Sequence, residues 1–334
     1  MSALSSPVAQ LHELAQAHGS TSPPLRQLVA SGLDRLPLPG GGQTLARWRM
    51  LGEVAALDLA LAKLFEGHTD ALAILAELAG PEPEAGSLWG TWCAEPPDAR
   101  LEMRSTGGAR VRLSGRKAWC SGASELDHAV VSGWTADGQP WLAAVALQQA
   151  GVQVTREGWP AVGMARSGSV DVLFDGAQAL PVGAPGDYLS RPGFWQGGAG
   201  IAACWFGGAV GIARALRSRC GERSDAHRLA HLGAVDAALR AARALLRETA
   251  DWIDAHPREN AQARAMILRL AVEQAAQQVL AHAGRALGAG PLCRDAQLAS
   301  AVADLPIYLR QSHAERDLET LGRLRLDEEE GWMP

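Results

Sequence analysis

Trp119 and Ser121 stand two positions apart in the segment Leu113-Ser114-Gly115-Arg116-Lys117-Ala118-Trp119-Cys120-Ser121-Gly122-Ala123, which reads as strand, turn, strand. On an extended strand, residues i and i+2 share a face. An indole and a hydroxyl on one face can stack on a planar cofactor and donate to its polar edge. The plainer assignment makes Trp119 a core residue and Ser121 part of a turn. Upstream, Trp89-Gly90-Thr91-Trp92-Cys93-Ala94-Glu95-Pro96 sets two tryptophans and a cysteine beside a turn. His227 and His231 share a helical face at i and i+4, without the glutamate that accompanies a zinc-hydrolase histidine pair. The five cysteines (Cys93, Cys120, Cys204, Cys220, Cys293) include no Cys-x-x-Cys pair. No metal site is therefore expected, and thinly spread thiols fit a reducing compartment. Neither a Gly-x-Ser-x-Gly elbow nor a Walker loop is present.

The elements that must position these residues divide the chain into parts. Its 334 residues, 47% hydrophobic and 20% charged, are the composition of a globular protein of more than one module. With 31 basic and 36 acidic residues the formal charge is -5, so no bulk attraction to nucleic acid or anionic membrane is expected. Only Lys63 and Lys117 are lysines. From Leu45 to Leu78 apolar side chains recur every three or four positions, which predicts one or two amphipathic helices after a Pro- and Gly-rich loop at Leu36 to Gly42. Residues 86–185 change to short alternating segments with Gly and Asp-Gly turns, an antiparallel β domain of about six to eight strands. Residues 186–326 return to helical spacing and read as an up-down four-helix bundle, with Pro306 a kink or break in its last helix. Gly197-Gly198-Ala199-Gly200 and Gly207-Gly208-Ala209 allow close backbone approach, so a homodimer or dimer of dimers through the bundle is expected. Asp327-Glu328-Glu329-Glu330 opens an acidic tail, 327–334. Met1 to Ser22 lacks the pattern of an export signal, so a cytoplasmic location is expected. Arg214 and Arg217 interrupt the longest apolar run, so no membrane span is expected.

With these segments in place, the chain resembles the acyl-CoA dehydrogenase superfamily over roughly Leu45 to Arg323. That resemblance implies an α+β fold: N-terminal helices, here a shortened domain over 1–85, then a central antiparallel β domain and a C-terminal four-helix bundle. Ala94-Glu95-Pro96 is similar to the family's Thr-Glu-Pro segment, with alanine in place of the flavin-contacting threonine. Gly115 to Gly122 is similar to its Gly-x-Lys-x-Trp-x-Thr-Asn-Gly segment, which puts Trp119 and Ser121 at the positions that touch the isoalloxazine. Gly163 to Asp175 resembles its closing strands. The implied cofactor is FAD, shared across a subunit interface of a homo-oligomer. For the pyrophosphate the resemblance offers Arg217, Arg219 and Arg223, though the family's Arg-x-x-Phe-Gly turn is eroded here. For the adenosine side it offers a glycine loop containing Gly284 and Gly288.

Arg294-Asp295-Ala296 resembles the family's Arg-Asp-Ala. The base that removes the substrate α-proton commonly stands seven residues beyond that alanine, which is Ala303 here. Alanine takes no proton. Asp304 is the first substitute, although one step along a helix turns a side chain by about 100°. His313 and Glu95 follow. Four readings stay open: a flavoprotein oxidoreductase acting on an acyl thioester or related small molecule with an altered site, a flavin-dependent monooxygenase-like enzyme, a non-catalytic relative serving as a partner subunit, and an unrelated α/β/α binding protein, which would make the Gly115–Gly122 and Arg294–Ala296 matches accidental. The electron acceptor is not legible.

Overall fold

The apolar spacing of the N-terminal part produces helices where expected, and one carboxylate decides how they divide. The structure, a computed structural model, describes residues 6–19 and 21–326, so the acidic tail lies outside the described residues. Helices α1 (Pro7–Ala17) and α2 (Leu25–Ala30) precede the Pro- and Gly-rich loop. The periodic run that follows is two helices, α3 (Thr44–Leu57) and α4 (Leu59–Glu77). Between them Asp58 is extended (φ -162°, ψ 120°), which ends α3. Its carboxylate accepts from the N–H groups of Ala60 and Leu61 at 2.9 and 3.0 Å, which starts α4.

Seven strands follow: β1 (Trp89–Trp92), β2 (Leu101–Ser105), β3 (Val111–Cys120), β4 (His128–Trp134), β5 (Pro140–Ala146), β6 (Val152–Val154) and β7 (Val170–Val182). The path β4-β2-β3-β7-β5 returns to β4, so the sheet closes on itself, with β1 added at β4 and β6 at β7. The expectation of antiparallel pairing needs correction at one edge. β1 runs parallel to β4, and β2 meets β4 in parallel at a single pair, Glu102 with Trp134. Parallel neighbours require a crossover, and the β2–β3 hairpin supplies it. The segment read as strand, turn, strand is instead one strand, β3, bent by two register shifts: between Leu113 and Ser114, and between Lys117 and Cys120.

Beyond a short α5 (Asp187–Ser190), the C-terminal part is α6 (Pro192–Arg217), α7 (Ala226–Ala255), α8 (Gln262–Leu287), α9 (Ala289–Arg294), α10 (Ala296–Tyr308) and α11 (Glu315–Arg325). Pro306 lies in the last turn of α10 without ending it. The break in the expected fourth helix falls after a 3-10 turn at Leu309–Gln311, where Ala314 has φ 47°. Helix α6 is long and apolar enough to cross a membrane by composition, because Arg214 and Arg217 occupy its last turn instead of interrupting it. It is a core helix: 61% of its most apolar stretch is buried inside the protein, and it packs against α3 and α8.

The sequence pointed to a second copy as the element that the glycines of α6 admit. Gly207 and Gly211 instead admit α3 of the same chain. A Cβ on Gly207 would lie 2.1 Å from the Gly52 carbonyl oxygen, and one on Gly211 would lie 2.7 Å from that of Ala56. Both distances are well inside van der Waals contact, and the obstacle is backbone. Gly207→Ala is therefore expected to destabilise the protein by about 1–3 kcal/mol through overpacking, read as a lower urea midpoint. Gly233, exposed within α7 with open space around its α-carbon, is the control. Gly233→Ala should raise stability by about 0.5–1 kcal/mol. Equal effects at the two positions would refute the close-contact account.

Candidate functional site

The second bulge of β3 gives Trp119 a backbone unusual for its type, with φ 58°. Left-handed geometry costs a non-glycine residue on the order of 1–2 kcal/mol. Its neighbours Lys117, Ala118 and Cys120 are buried, while the indole is turned outward and stays 49% exposed. Ser121 lies just past the end of β3, so strand alternation does not relate it to Trp119. Its hydroxyl shares a hydrogen bond with Ser169 at 2.8 Å, and Ser169 another with Ser167 at 2.7 Å. Trp92 Nε1 donates to the Ser121 carbonyl at 3.1 Å. The Gly122 N–H donates to the Ser167 carbonyl at 2.8 Å, which ties the end of β3 to the loop before β7. The crevice beside Ser121, between α4 and β1, measures about 10 Å3, room for one water. Lys63 of α4 reaches its wall.

The three carboxylate and histidine candidates fall in separate places. Glu95 accepts from Lys117 Nζ at 2.6 Å, from Trp134 Nε1 at 3.0 Å and from the Ser132 hydroxyl. Lys117 is 1% exposed and also donates to the Ser132 carbonyl at 2.9 Å. Both oxygens of Glu95 are thus engaged around a buried ammonium. Asp304 accepts from the Met164 N–H at 2.5 Å and lies 4.0 Å from the Arg166 guanidinium, which also binds Asp58 at 2.6 Å. Burial pushes the Asp304 carboxyl above the usual range, against the opposing effect of the Met164 N–H. Ala303 faces no open space at its carbonyl: a Cβ on Gly163 would lie 2.3 Å from that oxygen. His313 is at the surface before α11, 3.5 Å from Asp317.

The phosphate candidates are divided as well. Arg219 donates to Asp295 at 2.5 Å and to the Ala215 carbonyl at 2.8 Å. Asp295 caps α10, accepting from the Leu298 N–H at 3.0 Å, so this arginine fastens α6 to α10. The guanidinium groups of Arg217 and Arg223 form no hydrogen bond or ion pair among the described residues. The expected glycine loop is not a loop. Gly284 lies inside α8, and Gly288, at φ 64°, is the one residue between α8 and α9. Helical hydrogen bonding occupies the backbone that an adenosine cradle would use.

Two features escaped the sequence reading. His231 Nδ1 meets His282 Nδ1 at 2.9 Å across α7 and α8, so the histidine pair forms between helices and not along one. Among the described residues no group of three metal-binding side chains exists. The chain's two lysines both serve inward-facing ion pairs, Lys117 with Glu95 and Lys63 with Glu66 at 2.8 Å. Their rarity in an arginine-dominated chain was the available signal.

No family model matches the sequence, and no curated protein matches it. Solved structures do. TdsC from Paenibacillus sp. A11-2, in complex with FMN and indole, superposes with TM-score 0.81 at 19% identity, covering 96% of each chain. Methanesulfinate monooxygenase MsuC from Pseudomonas fluorescens gives 0.80 at 21% identity, covering 97% of each. Butyryl-CoA dehydrogenase from Megasphaera elsdenii gives 0.80 at 14%, covering 97% of this chain and 99% of its own. This is the acyl-CoA dehydrogenase fold. Within it the chain keeps the order of helices, closed β domain and bundle, and it is similar in shape both to a dehydrogenase and to monooxygenases.

Three substitutions test the two carboxylates. Glu95→Ala strands the Lys117 charge and should cost about 3–5 kcal/mol in urea unfolding; a loss below about 1 kcal/mol would remove the tether role. Asp304→Ala should cost about 1–3 kcal/mol, because a buried N–H loses its acceptor, whereas Asp304→Asn keeps an acceptor. With a raised folded pKa, Asp304 favours folding when protonated and loses that advantage as pH rises through the raised value. The stability of the native protein minus that of Asp304→Asn should therefore fall as pH rises from about 4 towards neutrality. A flat difference would contradict the burial effect.

Proposed function

We propose that this protein is a flavin-dependent oxidoreductase of the monooxygenase type, acting on a small molecule that is not an acyl thioester. The observation that carries the reading is Trp119, an indole held outward in strained backbone and half exposed, two residues before Ser121. Such a surface suits one face of a planar ring system. The neighbours support it: TdsC is seen with FMN, and MsuC is a methanesulfinate monooxygenase.

The residues fit a flavin ring and one phosphate better than a complete FAD. Trp119 supplies stacking area, and Ser121 supplies a hydroxyl already polarised by Ser169. Arg217 and Arg223 retain free guanidinium groups for phosphate, while Arg219 is committed to Asp295. The helical setting of Gly284 disfavours an adenosine cradle. We therefore propose FMN in place of the FAD that the resemblance implies. A bound flavin would supply hydride acceptance or, once reduced, reaction with dioxygen. A homo-oligomer that brings these arginines to a neighbour's ring fits the same reading.

The preference for monooxygenation over dehydrogenation rests on the chain's own residues. Removing an α-proton needs a base aimed at the substrate. Ala303 cannot act, and the Asp304 carboxylate is turned to Met164 and Arg166. The narrow crevice at Ser121 favours the other reading, a non-catalytic partner subunit, in one respect: at about 10 Å3 it holds a water and not a substrate.

Purified protein should be titrated with FMN and FAD and followed by visible absorbance. FMN is expected to bind, and Trp119→Ala to weaken it by about 1–3 kcal/mol. Unchanged affinity in folded Trp119→Ala would move the ring elsewhere, and rejection of both flavins would leave the partner-subunit reading. Anaerobic mixing of the flavin-loaded protein with saturated acyl-CoAs should leave the flavin oxidised. Rapid bleaching would establish dehydrogenation instead.

A further inference from the structure

Away from Trp119, helices α3, α6 and α7 enclose an open groove of about 510 Å3. That volume is within the range of small-molecule sites, about 300–1,000 Å3. Its floor is apolar, built from Trp48, Phe206, Val235, Leu239 and Leu246, and Gly52 and Gly207 line it where α3 meets α6. Its rim is basic. Arg49 of α3, Arg214 and Arg217 of α6, and Arg240, Arg243 and Arg247 of α7 all line it.

Only two carboxylates, Glu53 and Asp236, oppose these six arginines. Glu53 is paired with Arg214 at 3.2 Å and Asp236 with Arg240 at 2.6 Å. The remaining guanidinium groups, on Arg49, Arg217, Arg243 and Arg247, form no hydrogen bond or ion pair among the described residues. A chain whose formal charge is -5 thus concentrates uncompensated positive charge around one apolar trough. Guanidinium forks match the paired oxygens of phosphate, and several converging cations favour a dianion over a monoanion. An apolar floor gains from an apolar body and nothing from a bare ion.

We propose that the α3/α6/α7 groove binds a phosphate monoester with a compact apolar body. The body lies along Trp48, Leu239 and Leu246, and the phosphate is held by Arg243 and Arg247 of α7 with Arg49 across the groove. Arg217, which the flavin reading also uses, lines the groove but is not among the three arginines assigned here, so the proposal does not depend on that reading.

Isothermal titration of the full chain with 1-naphthyl phosphate tests this directly, with inorganic phosphate and 1-naphthol as the two half-ligands. The ester should bind one per chain and each half-ligand at least about tenfold more weakly, since each forgoes one of the two contributions. Arg243→Gln/Arg247→Gln should weaken the ester by at least about tenfold, for two lost charge-assisted contacts. Its unfolding midpoint should match that of the native protein, because neither arginine has a partner to lose. Higher salt should weaken binding to the native protein more than to the double variant. Absence of saturable binding, as would follow if a second copy or an acidic helix covers the groove, overturns the proposal. So does binding that the double variant leaves unchanged, or inorganic phosphate that binds as tightly as the ester.

Discussion

The contact between Gly52 and Gly207, backbone against backbone, governs how the rest of the molecule is arranged. Helix α3 approaches α6 closely because neither helix carries a side chain at that point, and Gly211 repeats the allowance one turn later beside Ala56. Close approach lets α3 cover α6, whose long apolar surface would otherwise face water. The position of α3 then fixes Asp58 at its end, and Asp58 aims α4 across β1. Lys63 reaches the Ser121 crevice as a result of that sequence of constraints. The same two glycines line the arginine-rimmed groove.

A second junction joins the β domain to both helical parts. Arg166, on the loop between β6 and β7, binds Asp58 at the start of α4 and lies near Asp304 of α10. Asp304 in turn receives the N–H of Met164, whose backbone has φ 59°. Gly163 completes the junction by admitting the Ala303 carbonyl at a distance that excludes any side chain. Position 303 therefore lies at a seam between domains.

The sequence carried the fold well because period is a local property. Alternation marked most strands, and three- and four-residue spacing marked the long helices. Features set by distant partners were less legible. The glycines of α6 signalled close approach, but nothing local distinguished α3 from a second subunit as the element approached. The parallel edge of β1 depends on where the β2–β3 hairpin crosses, which no short window contains. Gly284 resembled a loop residue by type, although it lies inside a helix whose end is set by Gly288. At the site, the residue types at Trp119 and Ser121 were readable, whereas the bulge that separates them was not. Glu95 shows the same limit: its acidity was evident, but its engagement by Lys117, Ser132 and Trp134 depends on residues 22 to 39 positions away.

Backbone strain separates structural necessity from function in this chain. Four non-glycine residues among those described have positive φ: Ala79, Trp119, Met164 and Ala314. Ala79 follows α4 and lets the Gly80 N–H reach the Leu75 carbonyl at 2.8 Å. Met164 gains the bond to Asp304 and a buried side chain. Ala314 is the cap from which α11 starts. Each of these three offsets its cost through folding. Trp119 does not: its backbone is strained and its large apolar side chain remains half in water. A smaller or more polar residue at that bulge would fold at less cost, so the fold itself gives no reason for tryptophan. Strain without a compensating contact in the free chain points to a contact made with something else, and a planar apolar partner is what an exposed indole face is suited to receive.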